Sequence, residues 1–202
     1  MSANRHSVAG GAIGDSVHLT ERASDVDPVI VRCNALSALL FREPDQTVYA
    51  LLDGASIPAL PNRLAESPEQ SGCLYRGELG LDLKMTAPYL VKLHAGSELL
   101  PWLWGEGWGK NWGIFVVTPL GFEELRRHFR GFLRVRDHSG RILYFRYYDP
   151  RVLRVYLPTC NAGEIKTVFG AISRFVCEGE SADEVMELPV HRLRITPRTV
   201  LL

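Results

Sequence analysis

Two short runs constrain the fold more than any other feature of this sequence: TVYALLDGA (47–55) and NWGIFVVT (111–118), apolar at nearly every position and far too short to cross a membrane. Apolar runs of this length, bounded by turn residues, read as strands inside a sheet, and the first ends on the turn signal Asp53-Gly54. APYLVKL (87–93) reads as a third strand. Between and around these runs the period changes to that of a helix. In DPVIVRCNALSALLF (27–41) Asp27 is placed to cap a helix with Pro28 at its first position, and Val29, Cys33, Leu36 and Leu40 recur on one face. PLGFEELRRHFRGF (119–132) is amphipathic, with Phe122, Leu125 and Phe129 opposite its arginines. PALPNRLAES (58–67) predicts a weak helix, and SELLPWLWGEG (97–107) a broken helix or loop. LRVRD and ILYFRYY flank HSGR (138–141) as an antiparallel hairpin; two short helices follow, Pro150 to Leu157 and about Ala162 to Phe169. The last periodic pieces are AISRFVCE and ELPVHRLRI. Helices interleaved with strands predict one α/β domain over residues 27–202, a mixed β-sheet flanked by helices, preceded by a mobile, small and polar tail over residues 1–26.

Composition narrows the function classes. With a net charge of zero the chain has no global field for nucleic acid or an anionic membrane. Cys33, Cys73, Cys160 and Cys177 lie far apart with no C-x-x-C pair, so no zinc site is expected, and isolated thiols suit a reducing compartment. No apolar segment has the length of a secretory leader core or a membrane span, and the cytoplasm is the expected compartment. Charge is nevertheless segregated: nine arginines fall between Arg126 and Arg154 against Asp137 and Asp149 alone, whereas CEGESADEVMEL carries five acids and no base.

LYFRYYDPRVLRVYLP (143–158) is where an alternating run gives way to a helical one. Asp149 is placed to accept the free N–H groups of the next turn, and Pro150 loses nothing at the first helical position. Arg151 does not fit so simply, because a cation in the first turn opposes the helix dipole by about 0.3–1 kcal/mol. It needs a carboxylate, either Asp149 or Asp53, with Arg146 competing for the same anions. A structural corner is the first reading of this Arg/Asp cluster and partner recognition the second; catalysis would also need a nucleophile or base in reach.

Four segments in order, VYALLDGA, APYLVKL, NWGIFVVT and FRYYDPRVL, resemble the effector-adaptor chaperone family of bacterial type VI secretion systems. The resemblance rests on Tyr49, Ala50, Leu52 and Asp53; on Ala87, Pro88, Tyr89 and Leu90; on Trp112 and Gly113; and on Arg146, Asp149, Pro150 and Arg151. It implies a non-enzymatic cytoplasmic adaptor, without cofactor, that binds a toxic protein effector and helps load it onto a VgrG-type spike. Many members of that family resemble a longer chain with a C-terminal lobe after the corner, whereas about fifty residues follow it here.

Other constellations have two readings each. Trp102, Trp104, Trp108 and Trp112 crowd PWLWGEGWGKNWG; exposed tryptophans would be anchors for a protein partner, buried ones core. We expect Trp112 to be core at its strand start, and take Trp102, Trp104 and Trp108 as partner-binding candidates. Arg127 and Arg130 join them, on a stripe with Arg134 that suits an acidic protein surface and, less well, nucleic acid. The glycines of GEGWGK lack the spacing and the Ser or Thr of a phosphate loop. His94, His128 and His138 stand singly. The alternative to an adaptor is a small hydrolase or ligand-binding enzyme whose Cys/His or Asp/Arg site assembles in space.

Overall fold

The computed structural model describes residues 27–136 and 139–202. The tail expected over 1–26 and His138 of the hairpin turn lie outside the described residues. Helix α1 (Pro28–Leu40) begins as its sequence predicts, with Asp27 Oδ1 accepting from the Val29 N–H at 2.8 Å. Strand β1 (Thr47–Asp53), helix α2 (Leu60–Glu66) and the short strand β2 (Ser71–Cys73) follow. Helix α3 (Leu81–Thr86) leads into β3 (Pro88–Leu93), and a helical turn α4 (Leu100–Trp102) runs on as a π-helical turn over Leu103–Gly107 into β4 (Gly113–Thr118). Then come α5 (Phe122–Arg130), the paired β5 (Arg134–Arg136) and β6 (Ile142–Tyr144), α6 (Pro150–Tyr156) and α7 (Ala162–Phe169). Strands β7 (Arg174–Glu178), β8 (Glu184–His191), β9 (Arg194–Ile195) and β10 (Arg198–Leu201) complete the chain.

The strands lie in the order β10-β8-β7-β4-β1-β3-β2, with β9 pairing on β8, and the recorded pairings are antiparallel. β1 and β4 sit at the centre, which is why their sequences are apolar throughout: each has both faces covered. Side-chain alternation divides them between two cores. Tyr49, Leu51, Ile114 and Val116 face one side, where Phe122, Leu125 and Phe129 of α5, Leu153 of α6 and Val168 and Phe169 of α7 cover them. Val48, Ala50, Leu52, Phe115 and Val117 face the other, under Leu36 and Leu40 of α1, Leu60 and Leu64 of α2 and the π-helical turn. The result is the α/β domain expected from the sequence, a single unit with helices on both faces of one sheet. Full burial of a leucine or phenylalanine side chain stabilises by roughly 1.5–3 kcal/mol, so the two layers hold the sheet from both sides.

A buried ionic group joins the C-terminal strands to the rest. Arg174 of β7 is 3.2 Å from the Glu187 carboxylate of β8, pairs also with Glu43, and donates to the Leu39 carbonyl at 3.2 Å. Arg42 reaches Glu187 at 2.9 Å. β5 and β6 stand apart as a two-stranded ribbon, all six residues exposed. No helix among the described residues is long and apolar enough to cross a membrane.

Candidate functional site

Antiparallel pairing brings the C-terminal end of β1 beside the N-terminal starts of both its neighbours. Asp53 lies opposite Pro88, and Leu52 lies between Tyr89 on β3 and Gly113 on β4. The Asp53 N–H donates to the Trp112 carbonyl at 2.8 Å, and the Gly54 N–H to the Ala87 carbonyl at 3.0 Å. The chain approaches itself so closely here that a Cβ at Gly54 would stand 2.4 Å from the Ala87 oxygen, and one at Gly113 2.2 Å from the Leu51 oxygen. Three of the four motif segments thus meet at one end of the sheet. Tyr49 lies further back, its ring in the core and its hydroxyl donating to the Leu120 carbonyl at 2.9 Å.

The fourth segment closes over this end. Asp53 is 1% exposed; its Oδ1 accepts from the Ala55 N–H at 3.1 Å and its Oδ2 from the Ser56 hydroxyl at 2.8 Å and from Arg146 Nη2. Asp149 caps α6 as expected: Oδ1 accepts from the Arg151 N–H at 3.0 Å, with Pro150 buried at the first helical position. Arg151 answers with a fork, Nε to Oδ1 at 2.9 Å and Nη2 to Oδ2 at 2.7 Å. Arg146 Nη2 lies 3.8 Å from Asp149 Oδ2, so one guanidinium bridges the two carboxylates. Of the two carboxylates open to Arg151, Asp149 is the one used, and Arg146 takes Asp53.

Burial pushes the Asp149 carboxyl up, but the hydrogen bonds from the Arg151 side chain and backbone and the charge of Arg146 outweigh it and hold the group below the usual carboxylate range. Arg151 is raised by its bonds to Asp149. Burial lowers Arg146, yet its pairing with Asp53 raises it further than burial can lower it. Tyr148, behind the corner, is pushed well above its ordinary value by burial, by Tyr75 and by the Asp53 charge. Two carboxylates, two guanidiniums and the surrounding N–H donors therefore satisfy one another, and the arrangement ties strand ends to a helix start.

The tryptophans divide otherwise than expected. Trp104 and Trp108 are buried, which corrects their assignment as partner-binding residues. The π-helical turn lies over the α1 face of the sheet and turns both rings inward: Trp104 packs on Phe115 at 4.8 Å between centroids and edge-on to Trp108 at 5.8 Å, and Trp108 Nε1 donates to the Ala182 carbonyl at 2.8 Å. Trp102 is half-buried, against Trp112 at 4.8 Å and under the Arg63 guanidinium at 5.0 Å. Trp112, expected in the core, is half-buried too, because its ring shares this rim position.

Arg127 is exposed on α5 and has no ion pair among the described residues. Arg130 is bound inward, donating to the carbonyls of Leu74 at 2.9 Å, Cys73 at 3.0 Å and Tyr75 at 3.2 Å. It anchors the segment after β2 to α5 and lines a cleft of about 510 Å³ that also touches Arg76, Leu83, Arg134 and Tyr144. Arg134 belongs to the stripe read from the sequence, whereas Arg76, Leu83 and Tyr144 went unassigned; for Leu83 the available signal was GLDLKMT, a stretch whose leucines follow no core-facing pattern. Among the thiols, burial pushes Cys177 up to about 12 and raises Cys73, and Cys160 sits against the Tyr156 carbonyl at 3.5 Å. His128 Nε2 meets the Val168 carbonyl at 2.8 Å, and His94 Nδ1 accepts from the Gly96 N–H at 3.1 Å. No cluster of three metal-ligating side chains forms among the described residues.

Comparison with curated proteins and with solved structures returns no match. Residues 48–167, which run from β1 through most of α7 and include all four motif segments, match the model of a family described as Domain of unknown function (DUF4123). With more than half of its length matched in this way, including every residue of the Arg/Asp corner, the chain belongs to the DUF4123 family.

Proposed function

We propose that this chain is a non-enzymatic cytoplasmic adaptor that binds a protein effector of a type VI secretion system and promotes its loading onto the VgrG-type spike. The observation that carries this reading is the convergence of the motif segments. Asp53, Pro88, Trp112, Arg146, Asp149 and Arg151, scattered over about a hundred residues of sequence, meet at one end of the sheet, and they are among the residues that carry the resemblance to effector adaptors. Their carboxylates and guanidiniums are engaged with one another, which suits a corner that shapes a scaffold. Binding then falls to the surfaces that scaffold presents.

The test is co-expression with the effector and spike protein encoded beside this gene, followed by affinity capture and size-exclusion chromatography. A stable complex with the effector, burying an area of standard size of about 1,600 Å², is the expected result. Failure to capture either neighbour from soluble, folded protein overturns the reading, as does turnover of a small molecule abolished by Asp149→Asn while the fold survives.

A further inference from the structure

The cleft beside Arg130 lies between the segment that follows β2, helix α3 and the β5–β6 ribbon. Its floor is apolar, formed by Leu74, Leu79 and Leu133, with Leu83 on the wall. Tyr75 and Tyr144 close one end, their rings 5.7 Å apart. Its rim is cationic: Arg76, Arg130 and Arg134 line it, and no carboxylate among the described residues does. Arg76 and Arg134 carry no ion pair among the described residues. Arg130 is held by three carbonyls, which engage its Nε and Nη2 donors without neutralising its charge. Burial and the neighbouring charges of Arg126 and Arg76 push Arg130 below its ordinary pKa by more than the Glu123 carboxylate offsets. In a chain of zero net charge this local excess is set against an apolar floor.

The walls are exposed in a way a finished surface avoids. Leu83 is 52% exposed and Tyr144 63%, and the ribbon shows Val135 and Leu143 on one face and Ile142 and Tyr144 on the other. A two-stranded ribbon is marginal alone, and apolar side chains gathered beside a cleft mark an interaction site. We infer that this cleft docks a segment of a protein partner in which aspartate or glutamate flanks leucine- or phenylalanine-like side chains. The apolar groups fill the leucine floor, and the acids meet Arg76 and Arg134 at the rim. A nucleic acid fits less well: leucines offer bases no stacking face, and the two tyrosine rings pack on each other. The inference rests on the adaptor reading only for the identity of that partner as the effector or the spike.

A phage-displayed library of random linear peptides, panned on the full chain, tests it. Selected peptides should be rich in Asp or Glu beside Leu or Phe and should bind more weakly as salt is raised. Arg76→Glu and Leu83→Asp, both at exposed positions, should keep the wild-type circular dichroism and Tm while weakening those peptides about tenfold or more. Failure to enrich any sequence, selection of peptides without acids, undiminished binding to both variants, or displacement of the peptides by a single-stranded oligonucleotide would each overturn the inference. Co-expression of the same variants separates the two readings. An effector captured equally by wild type and both variants removes the cleft and leaves the adaptor, whereas selected peptides that need Arg76 and Leu83, with no effector captured, keep the cleft and remove the adaptor.

Discussion

Arg151 folds back on Asp149, two residues earlier in the chain, through Nε at 2.9 Å and Nη2 at 2.7 Å, so the carboxylate that caps α6 is itself gripped by a side chain from the first turn it caps. A cation at that place opposes the helix dipole; here its charge is spent on the capping carboxylate, and the dipole meets a paired ion.

Removing that carboxylate should therefore cost more than removing its partner. Asp149→Ala deletes a cap and leaves the α6 N–H and the Arg151 guanidinium without their acceptor, an expected loss of about 2–3 kcal/mol in urea unfolding. Arg151→Ala, at a mostly solvated side chain, should lose about 0.5–1 kcal/mol. Equal stability of Asp149→Ala and wild type would contradict the corner's structural role.

Arg146 and Asp53 form the link across the sheet end, and a double-mutant cycle with Arg146→Met and Asp53→Asn isolates it. A coupling of about 1–2 kcal/mol is expected. A value near zero would mean that Ala55 and Ser56 alone satisfy Asp53.

Two carboxylates push stability in opposite directions with pH. Glu178 is buried and raised to about 6, chiefly by burial, against the hydrogen bonds that the one backbone N–H of Asn111 shares between its two oxygens at 3.0 and 3.2 Å. A raised folded-state value means that its contribution is fully present below the unfolded value of about 4.5 and lost as pH rises through about 6, a change of about 2 kcal/mol. Asp149 is lowered, so its contribution is present above its unfolded value and lost only as pH falls through the lower folded one. Urea unfolding of Glu178→Gln should show a flatter pH dependence than wild type between about 4.5 and 6; identical profiles would refute the assignment.

Close backbone approach makes two glycines irreplaceable. Gly113→Ala and Gly54→Ala would press a methyl group on backbone oxygens at 2.2 and 2.4 Å, and are expected to lose about 3 kcal/mol or more or to yield insoluble protein. Gly105→Ala, where a Cβ meets nothing within 4 Å, is the control and should leave Tm unchanged or higher.

Trp104→Ala should lose about 3–5 kcal/mol, as truncation of a buried aromatic does. Trp102→Ala, half-buried at the rim, should lose about 1–2 kcal/mol. Thermal unfolding of both variants checks the inward placement of Trp104.

The helix starts and the central strands were legible because strong local signals agreed with the tertiary structure. Asp27-Pro28 and Asp149-Pro150 each announce a cap and a first turn, and the uninterrupted apolar runs of β1 and β4 fit strands covered on both faces. Where local pattern and environment part company, the reading failed. Helix α3 buries no side chain, so LDLKMT has no core face for periodicity to reveal. ILYFRYY read as one long strand, but only Ile142–Tyr144 pairs, since the chain must leave the ribbon to set Tyr147 and Tyr148 in the core. The inward turn of Trp104 and Trp108 depends on Phe115 and Ala182, distant in sequence, and no spacing rule anticipates such contacts. The choice of Asp149 over Asp53 by Arg151 is of the same kind. So is the pairing of Arg174 with Glu187, which turns two charges in apparently exposed strands into a buried link.

The place of β7 between β4 and β8 bears on how this protein can be dissected. The family match stops at residue 167, before the four strands β7 to β10 that complete the sheet. A fragment trimmed there would strip β4 of its neighbour, leaving the backbone donors of Phe115 and Val117 open on a flat, greasy margin that recruits other copies. The same cut would take the Ala182 carbonyl from Trp108 and the Glu178 carboxylate from Asn111. The smallest soluble piece accordingly extends through β8 at least, and limited proteolysis should leave everything from β1 to His191 in one resistant block.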